Sequence, residues 1–206
     1  MKLFFSPGTC SMATWISLEW TGKPYETHQV NIHGTKSPEL VAHNPMGALP
    51  TLEDDGWWLT QNVAVLNYVA DKYPEAKLHG DGSPRARAEV NRWLGFVNSD
   101  MHAVFKAYFG GSDYLGDAAM IAKSKANAGE LLKQRFDIID KHLAGREWLA
   151  ASQHTVVDAY LYVLTNWAAY VKIDLGGMKN LQAFIARMKA DPAVKRVAAA
   201  EAKAAG

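Results

Sequence analysis

The chain has 206 residues, 49% of them hydrophobic and 21% charged, an ordinary globular composition with room for one sizeable core or two small domains. Lys and Arg number 22 against 21 Asp and Glu, leaving a net charge of +1 and no polybasic face, which argues against nucleic acid or an anionic membrane as partner. A single cysteine excludes an internal disulfide and a cysteine-based metal cluster, and no stretch approaches the roughly 20 apolar residues of a membrane span.

In chain order, Lys2–Phe5 reads as a buried strand running into the turn Ser6-Pro7-Gly8. Cys10 and Ser11 then stand before Ala13, Trp15, Ile16 and Leu18, an apolar spacing that predicts a helix from Ser11 to about Thr21, stopped by Gly22 and Pro24. Cys10 falls at the first turn of that helix, where unpaired N–H groups and the helix dipole favour an anion and lower a thiol's pKa. A buried, inert cysteine fits the same stretch, and the two readings stay open here. Glu26–Ile32 is the second expected strand, His33–Pro38 a loop, and Glu39–Ala42 a short helical turn. Pro50 precedes a third strand, Asp54-Asp55-Gly56 marks a hairpin into Trp57-Trp58-Leu59, and Thr60 or Gln61 opens a helix closed by Pro74. This order implies a small mixed sheet covered by helices.

The stretch Leu78-His79-Gly80-Asp81-Gly82-Ser83-Pro84 reads as a linker, and no convincing strand follows it. Helical periodicity covers 85–109, with Val90, Trp93, Leu94, Val97, Met101 and Phe105 on the apolar side, and Gly110-Gly111 breaks it. A second long helix is expected over 117–143. A very apolar one follows to Tyr170, opened by Thr155 with Asp158 three residues on, a capping-box variant. That cap accounts for both residues without a catalytic role. Two helices, Asn180–Lys189 and one after Pro192, complete an all-helical second half, with an alanine-rich tail from Ala198 prone to fraying.

Four stretches carry a resemblance: FFSPGTCS, NPMGALPTL, QNVAVLNYVADKYP and TVVDAYL. Together they make the chain resemble a cytosolic glutathione transferase over essentially its whole length. FSPGTCS with Cys10, and His102 within NSDMHAVF, resemble the bacterial beta class in particular. The implied fold is a thioredoxin-like α/β domain (1–78), a linker (79–84) and an all-α helical-bundle domain (85–206). The implied activity is conjugation of glutathione, as co-substrate with no permanently bound cofactor and no metal, to small hydrophobic electrophiles by a cytoplasmic homodimer.

The resemblance also implies roles. Pro50 is expected to be cis and the Leu49 backbone to pair with the cysteinyl part of glutathione by strand addition. Gln61 and Asn62 occupy the place where family members usually carry an acid and a small hydroxylic residue or glycine for the γ-glutamyl carboxylate. Backbone N–H groups and the Asn62 amide would serve that anion. Phe5 stands where many transferases have a thiolate-stabilising tyrosine and offers no donor. Ala103 replaces a lysine of some beta-class members, with Lys36 a substitute for its carboxylate contact. Cys10, Ser11 and His102 are the expected donors at the glutathione sulfur. Met101, Tyr108, Phe109, Tyr114 and Trp167 are the expected wall for the electrophile, although core packing explains Trp167 equally well. Two other readings remain: a glutaredoxin-like monothiol transferase cycling through a Cys10–glutathione mixed disulfide, and a non-catalytic binding or stress-response module on the same fold.

Overall fold

A computed structural model describes residues 1–32 and 36–206, so the expected loop at His33-Gly34-Thr35 lies outside the described residues. Strand β1 (Lys2–Phe5) is central. It pairs in parallel with β2 (Glu26–Gln29) and antiparallel with β3 (Thr51–Asp54), which forms a hairpin with β4 (Trp57–Thr60), giving the order β2-β1-β3-β4. Leu3 lies opposite Leu52, and both enter the main core with Phe5. Phe4, between them, points to the other face and packs with Val30 and Leu40, as the two-residue period of a strand requires. β2 ends three residues before the expected Ile32, although Val30 N–H still donates to the Phe5 carbonyl at 2.9 Å.

Helix α1 (Ser11–Thr21) begins where the apolar spacing starts and ends on Gly22, whose φ of +65° forms the left-handed cap. It packs against α3 (Asn62–Lys72) and, across the molecule, against α7 (Val156–Tyr170) and α9 (Pro192–Ala204). Helix α2 (Pro38–His43) holds Leu40 over the second face of the sheet. The Leu49–Pro50 peptide bond is cis.

The second half contains no strand among the described residues. Helix α4 (Pro84–Gly95) is capped by Ser83, which accepts from Ala86 N–H at 3.2 Å. It does not run on as a regular α-helix to residue 109. The turns widen to π-helical hydrogen bonding over Phe96–His102, α5 (Ala103–Phe105) is a single turn, and Gly111 N–H closes on the Lys106 carbonyl at 2.7 Å. Helix α6 (Ala118–His142) starts on Asp117, which accepts from Met120 N–H at 2.8 Å. Helix α7 is buried along most of its length and forms the axis of the helical half. The Asp158 carboxylate accepts from Thr155 N–H (2.8 Å), the Thr155 hydroxyl (2.8 Å) and Leu149 N–H (2.9 Å), so it joins the start of α7 to the preceding connector. Helix α8 (Lys179–Ala190) leads to Asp191, which caps α9 by accepting from Ala193 and Val194 N–H groups. The tail expected to fray remains helical to Ala204, because Val197 and Glu201 are buried and Gln29 binds the Ala204 carbonyl.

Candidate active site

The turn between β1 and α1 is built by its own side chains. Gly8 has a φ of +75°, a conformation that strains any residue with a Cβ. The Thr9 hydroxyl donates to the Ser6 carbonyl at 2.8 Å and lies 2.6 Å from the Ser11 hydroxyl. Cys10 follows at the N-cap of α1. Its thiol donates to the Leu49 carbonyl, with the sulfur 3.2 Å from that oxygen. The side chain is 7% exposed, and burial pushes the thiol up to about 12, although its own backbone N–H favours the anion. The lowered pKa expected from the helix start is therefore not found. Desolvation outweighs the dipole at this site, and Cys10 is a thiol at neutral pH. Ser11, expected as a donor at the glutathione sulfur, is fully buried, and its hydroxyl is engaged within the turn by the Thr9 hydroxyl and the Ser6 carbonyl.

Opposite this turn the π-helical segment brings Asn98 and His102 to one hydroxyl, that of Tyr160 on α7. Tyr160 donates to Asn98 Oδ1 at 3.0 Å and lies 2.5 Å from His102 Nδ1. A phenol has one proton to give, so His102 Nδ1 carries hydrogen and donates to Tyr160, leaving the Nε2 lone pair free. Burial, helped by the Lys106 charge, pushes His102 down to about 4, so the ring is neutral at pH 7. Tyr160 is held far above its ordinary pKa by burial and by the nearby Cys10 sulfur. Asn62, at the first position of α3, accepts from the Thr14 hydroxyl at 3.3 Å; its Nδ2 lies beside Tyr160 without completing a hydrogen bond. Two hydrogen-bonded groups thus meet beside Tyr160: buried Thr14 and Asn62 on the side of the first half, and Tyr160 with half-buried His102 and exposed Asn98 on the other. Sequence reasoning missed Tyr160, Asn98 and Thr14.

Two family models match this chain: the N-terminal domain of glutathione S-transferase over residues 7–72 and its C-terminal domain over residues 96–192. A glutathione S-transferase of Xanthomonas campestris is 46% identical over 201 residues, covering 98% of each chain. The chain belongs to the glutathione S-transferase family. A solved glutathione S-transferase from Xylella fastidiosa superposes with a TM-score of 0.94 at 46% identity, covering 98% of each chain. A sphingomonad glutathione S-transferase complexed with glutathione superposes with a TM-score of 0.87 at 36% identity, covering 98% of this chain and 99% of that one.

Within this transferase the other expected site residues divide. Phe5 is buried, its ring 4.5 Å from that of Trp15. Leu49 is half-buried and Pro50 buried beside Cys10, while Gln61 is exposed with a φ of +73° before α3. The Lys36 ammonium donates to the Met46 carbonyl at 2.6 Å and so braces the turn leading to Leu49. Of the five residues expected at the electrophile, two come together. Trp167 and Phe109 meet with ring centroids 5.3 Å apart, and His102 stands edge-on to Trp167 at 4.8 Å. Met101, by contrast, is fully buried core. Tyr108 faces α6, donating to the Lys125 carbonyl at 2.8 Å, and Tyr114 is 85% exposed on a separate turn. Tyr170, 78% exposed, has its ring 6.5 Å from that of Phe109. One helical period cannot separate residues that line a cleft from those one position further round. Among the described residues no cluster of His, Cys, Asp and Glu could hold a metal ion, and no helix is long and apolar enough to cross a membrane.

Proposed function

We propose that this protein binds glutathione along the Leu49 backbone and conjugates its thiolate to small apolar electrophiles, as a cytoplasmic homodimer of the beta-class type. The halves would divide this labour at residues 79–84, with glutathione held by 1–78 and the electrophile by 85–206. The observation that carries the reading is the Cys10 thiol, 3.2 Å from the carbonyl of the residue expected to pair with the cysteinyl segment. A thiol with a pKa of about 12 keeps its proton and is a poor nucleophile; rotated from the Leu49 carbonyl, it would give that one proton to the neighbouring glutathione thiolate as a hydrogen bond. In the reaction the glutathione sulfur forms the new bond to the electrophilic carbon and the leaving group departs with the bonding pair. The thiol proton passes to solvent, because an imidazole with a pKa near 4 does not retain it. His102 orients the site through Tyr160 and Trp167. Asn62 Nδ2, buried and without a partner at the start of α3, is a ready donor for the γ-glutamyl carboxylate. The aromatic surface of Phe109, Trp167 and Tyr170 supports an apolar second substrate.

The test is a calorimetric titration of wild type and Cys10→Ala with glutathione, paired with conjugation of a chlorodinitrobenzene. Comparable binding by both, with slower conjugation by Cys10→Ala at neutral pH, is expected. Binding by wild type alone moves Cys10 thiol exchange ahead, and binding by neither defeats the reading.

A further inference from the structure

A cleft of about 390 Å³ lies where the segment joining the two halves and the first turn of α4 face the connector ahead of α7. Cys10, Leu49, Gln61, His102 and Trp167 do not line it, so the proposed reaction leaves it unused. Hydrogen bonds tie its walls together. The Lys77 carbonyl accepts from Gly80 N–H at 2.8 Å and from the Gln153 side-chain amide at 3.1 Å, and the Leu78 carbonyl accepts from Val156 N–H at 3.2 Å. Gly80 comes so close to the opposite walls that a Cβ on it would stand 3.3 Å from that of Ala86 and 3.5 Å from that of Ala151. The volume falls within the roughly 300–1,000 Å³ range of small-molecule sites.

Four charged side chains line the cleft, Lys77, Asp81, Arg85 and Glu89, and they are not equally free. Asp81 Oδ1 accepts from Ser83 N–H at 2.9 Å. Glu89 Oε2 accepts from the Arg92 guanidinium at 2.7 and 3.1 Å, and its carboxyl is held below its ordinary range chiefly by Arg92 and least by Arg85. Neither Lys77 nor Arg85 forms an ion pair among the described residues. Both side chains are exposed, so their charged ends are open to a ligand arriving from solvent. The first turn of α4, capped by Ser83, adds the positive end of a helix dipole. The unpaired cations therefore favour an anion, and the two carboxylates in the same lining limit its charge, since they would repel a group bearing two or more negative charges. A single carboxylate meets both conditions and matches the planar fork of an arginine.

We propose that this cleft binds a small organic monocarboxylate, its carboxylate held by Arg85 with Lys77 as the second charge, and its apolar body against Ala86, Ala150 and Ala151. Such a ligand would touch the joining segment, α4 and the connector ahead of α7 at once.

The experiment is calorimetric titration of the full-length protein at pH 7 with phenylacetate, and with phenylacetamide as an uncharged match in size. Saturable phenylacetate binding is expected, at least tenfold weaker in Arg85→Gln and for the amide. The Ala151→Leu variant keeps both cations and fills the cleft, and it should weaken binding by a similar factor. Absence of saturable binding by wild type overturns the proposal, as does equal affinity in wild type and both variants. Weakening in Arg85→Gln alone puts the anion on the open surface, and displacement of phenylacetate by saturating glutathione puts it at the transferase site; either result also overturns the proposal. Glutathione titrations of the same samples report separately on the transferase reading.

Discussion

At the level of single residues, burial decides the chemistry. Cys10 sits where a helix start should acidify it, yet its surroundings push the thiol up to about 12. At pH 8 such a thiol holds about a thousandfold less thiolate than an ordinary one of pKa near 9. Alkylation of Cys10 by iodoacetamide, followed by mass spectrometry from pH 7 to 10, should therefore run at least a hundredfold slower than alkylation of free cysteine. A rate that rises to a plateau near pH 8 would contradict the buried, protonated state. His102 follows the same rule with the opposite sign, since desolvation favours the uncharged imidazole. Neither state was legible in the sequence, where Cys10 marks a helix start and His102 is one polar residue in a periodic stretch. Tyr160 was hidden more completely. It stands inside the continuous apolar run of α7, where a tyrosine reads as core, and only the folded chain brings Asn62, Asn98 and His102 around its hydroxyl.

At the level of elements, apolar periodicity together with caps and breakers set most boundaries. The start of α1 at Ser11, the hairpin at Asp54–Trp57 and the span of α6 all follow from signals a few residues long. Over 85–109 the six expected apolar residues are all buried and the chain is helical to Phe105, but the spacing did not reveal the seven residues of wider, π-helical turns within it. Which form appears depends on packing against α7 and α6. Asp158 is the clearest case of a local signal with a tertiary consequence. Thr155 and Asp158 predict a cap, but the second carboxylate oxygen also holds Leu149 N–H, nine residues back. Asp158→Ala leaves the buried N–H groups of Leu149 and Thr155 unpaired and should cost about 2–4 kcal/mol, more than the roughly 0.5–2 kcal/mol of a simple cap. Urea unfolding compared with Thr155→Ala, which keeps the Leu149 contact, distinguishes the two. Equal losses would reduce Asp158 to a cap alone.

At the level of the whole molecule, buried ionisable groups make stability depend on pH. Glu201 has its pKa raised by burial from an ordinary 4.5 to about 7, so the folded state holds a proton that the unfolded state has released between those values. Stability from this group is fully present below about pH 4.5 and is lost as pH rises through 7. Asp158, raised to about 6, acts in the same direction, whereas His102, lowered to about 4, contributes stability that is present above pH 6.5 and lost as pH falls toward 4. These opposing slopes partly cancel in the wild type, so a variant is needed to isolate one. Relative to wild type, Glu201→Gln should gain about 2–3 kcal/mol of stability between pH 5 and pH 8. Urea unfolding of both proteins at the two pH values measures the gain, and a constant difference would show that Glu201 is ionised throughout. The broad division into a sheet-bearing half and a helical half was readable from the alternation of elements and its end at Pro84. Contacts such as Gly8–Glu201 were not, because nothing local to either residue signals a partner 193 positions away.

The Gly8 peptide group is gripped on both sides by the helical half: its N–H by Glu201 and its carbonyl by the Trp167 indole, at 3.3 and 2.8 Å. These two bonds join residues 193 and 159 positions apart in the chain, so the turn that precedes Cys10 reaches its supported backbone conformation only once both α7 and α9 have docked against it.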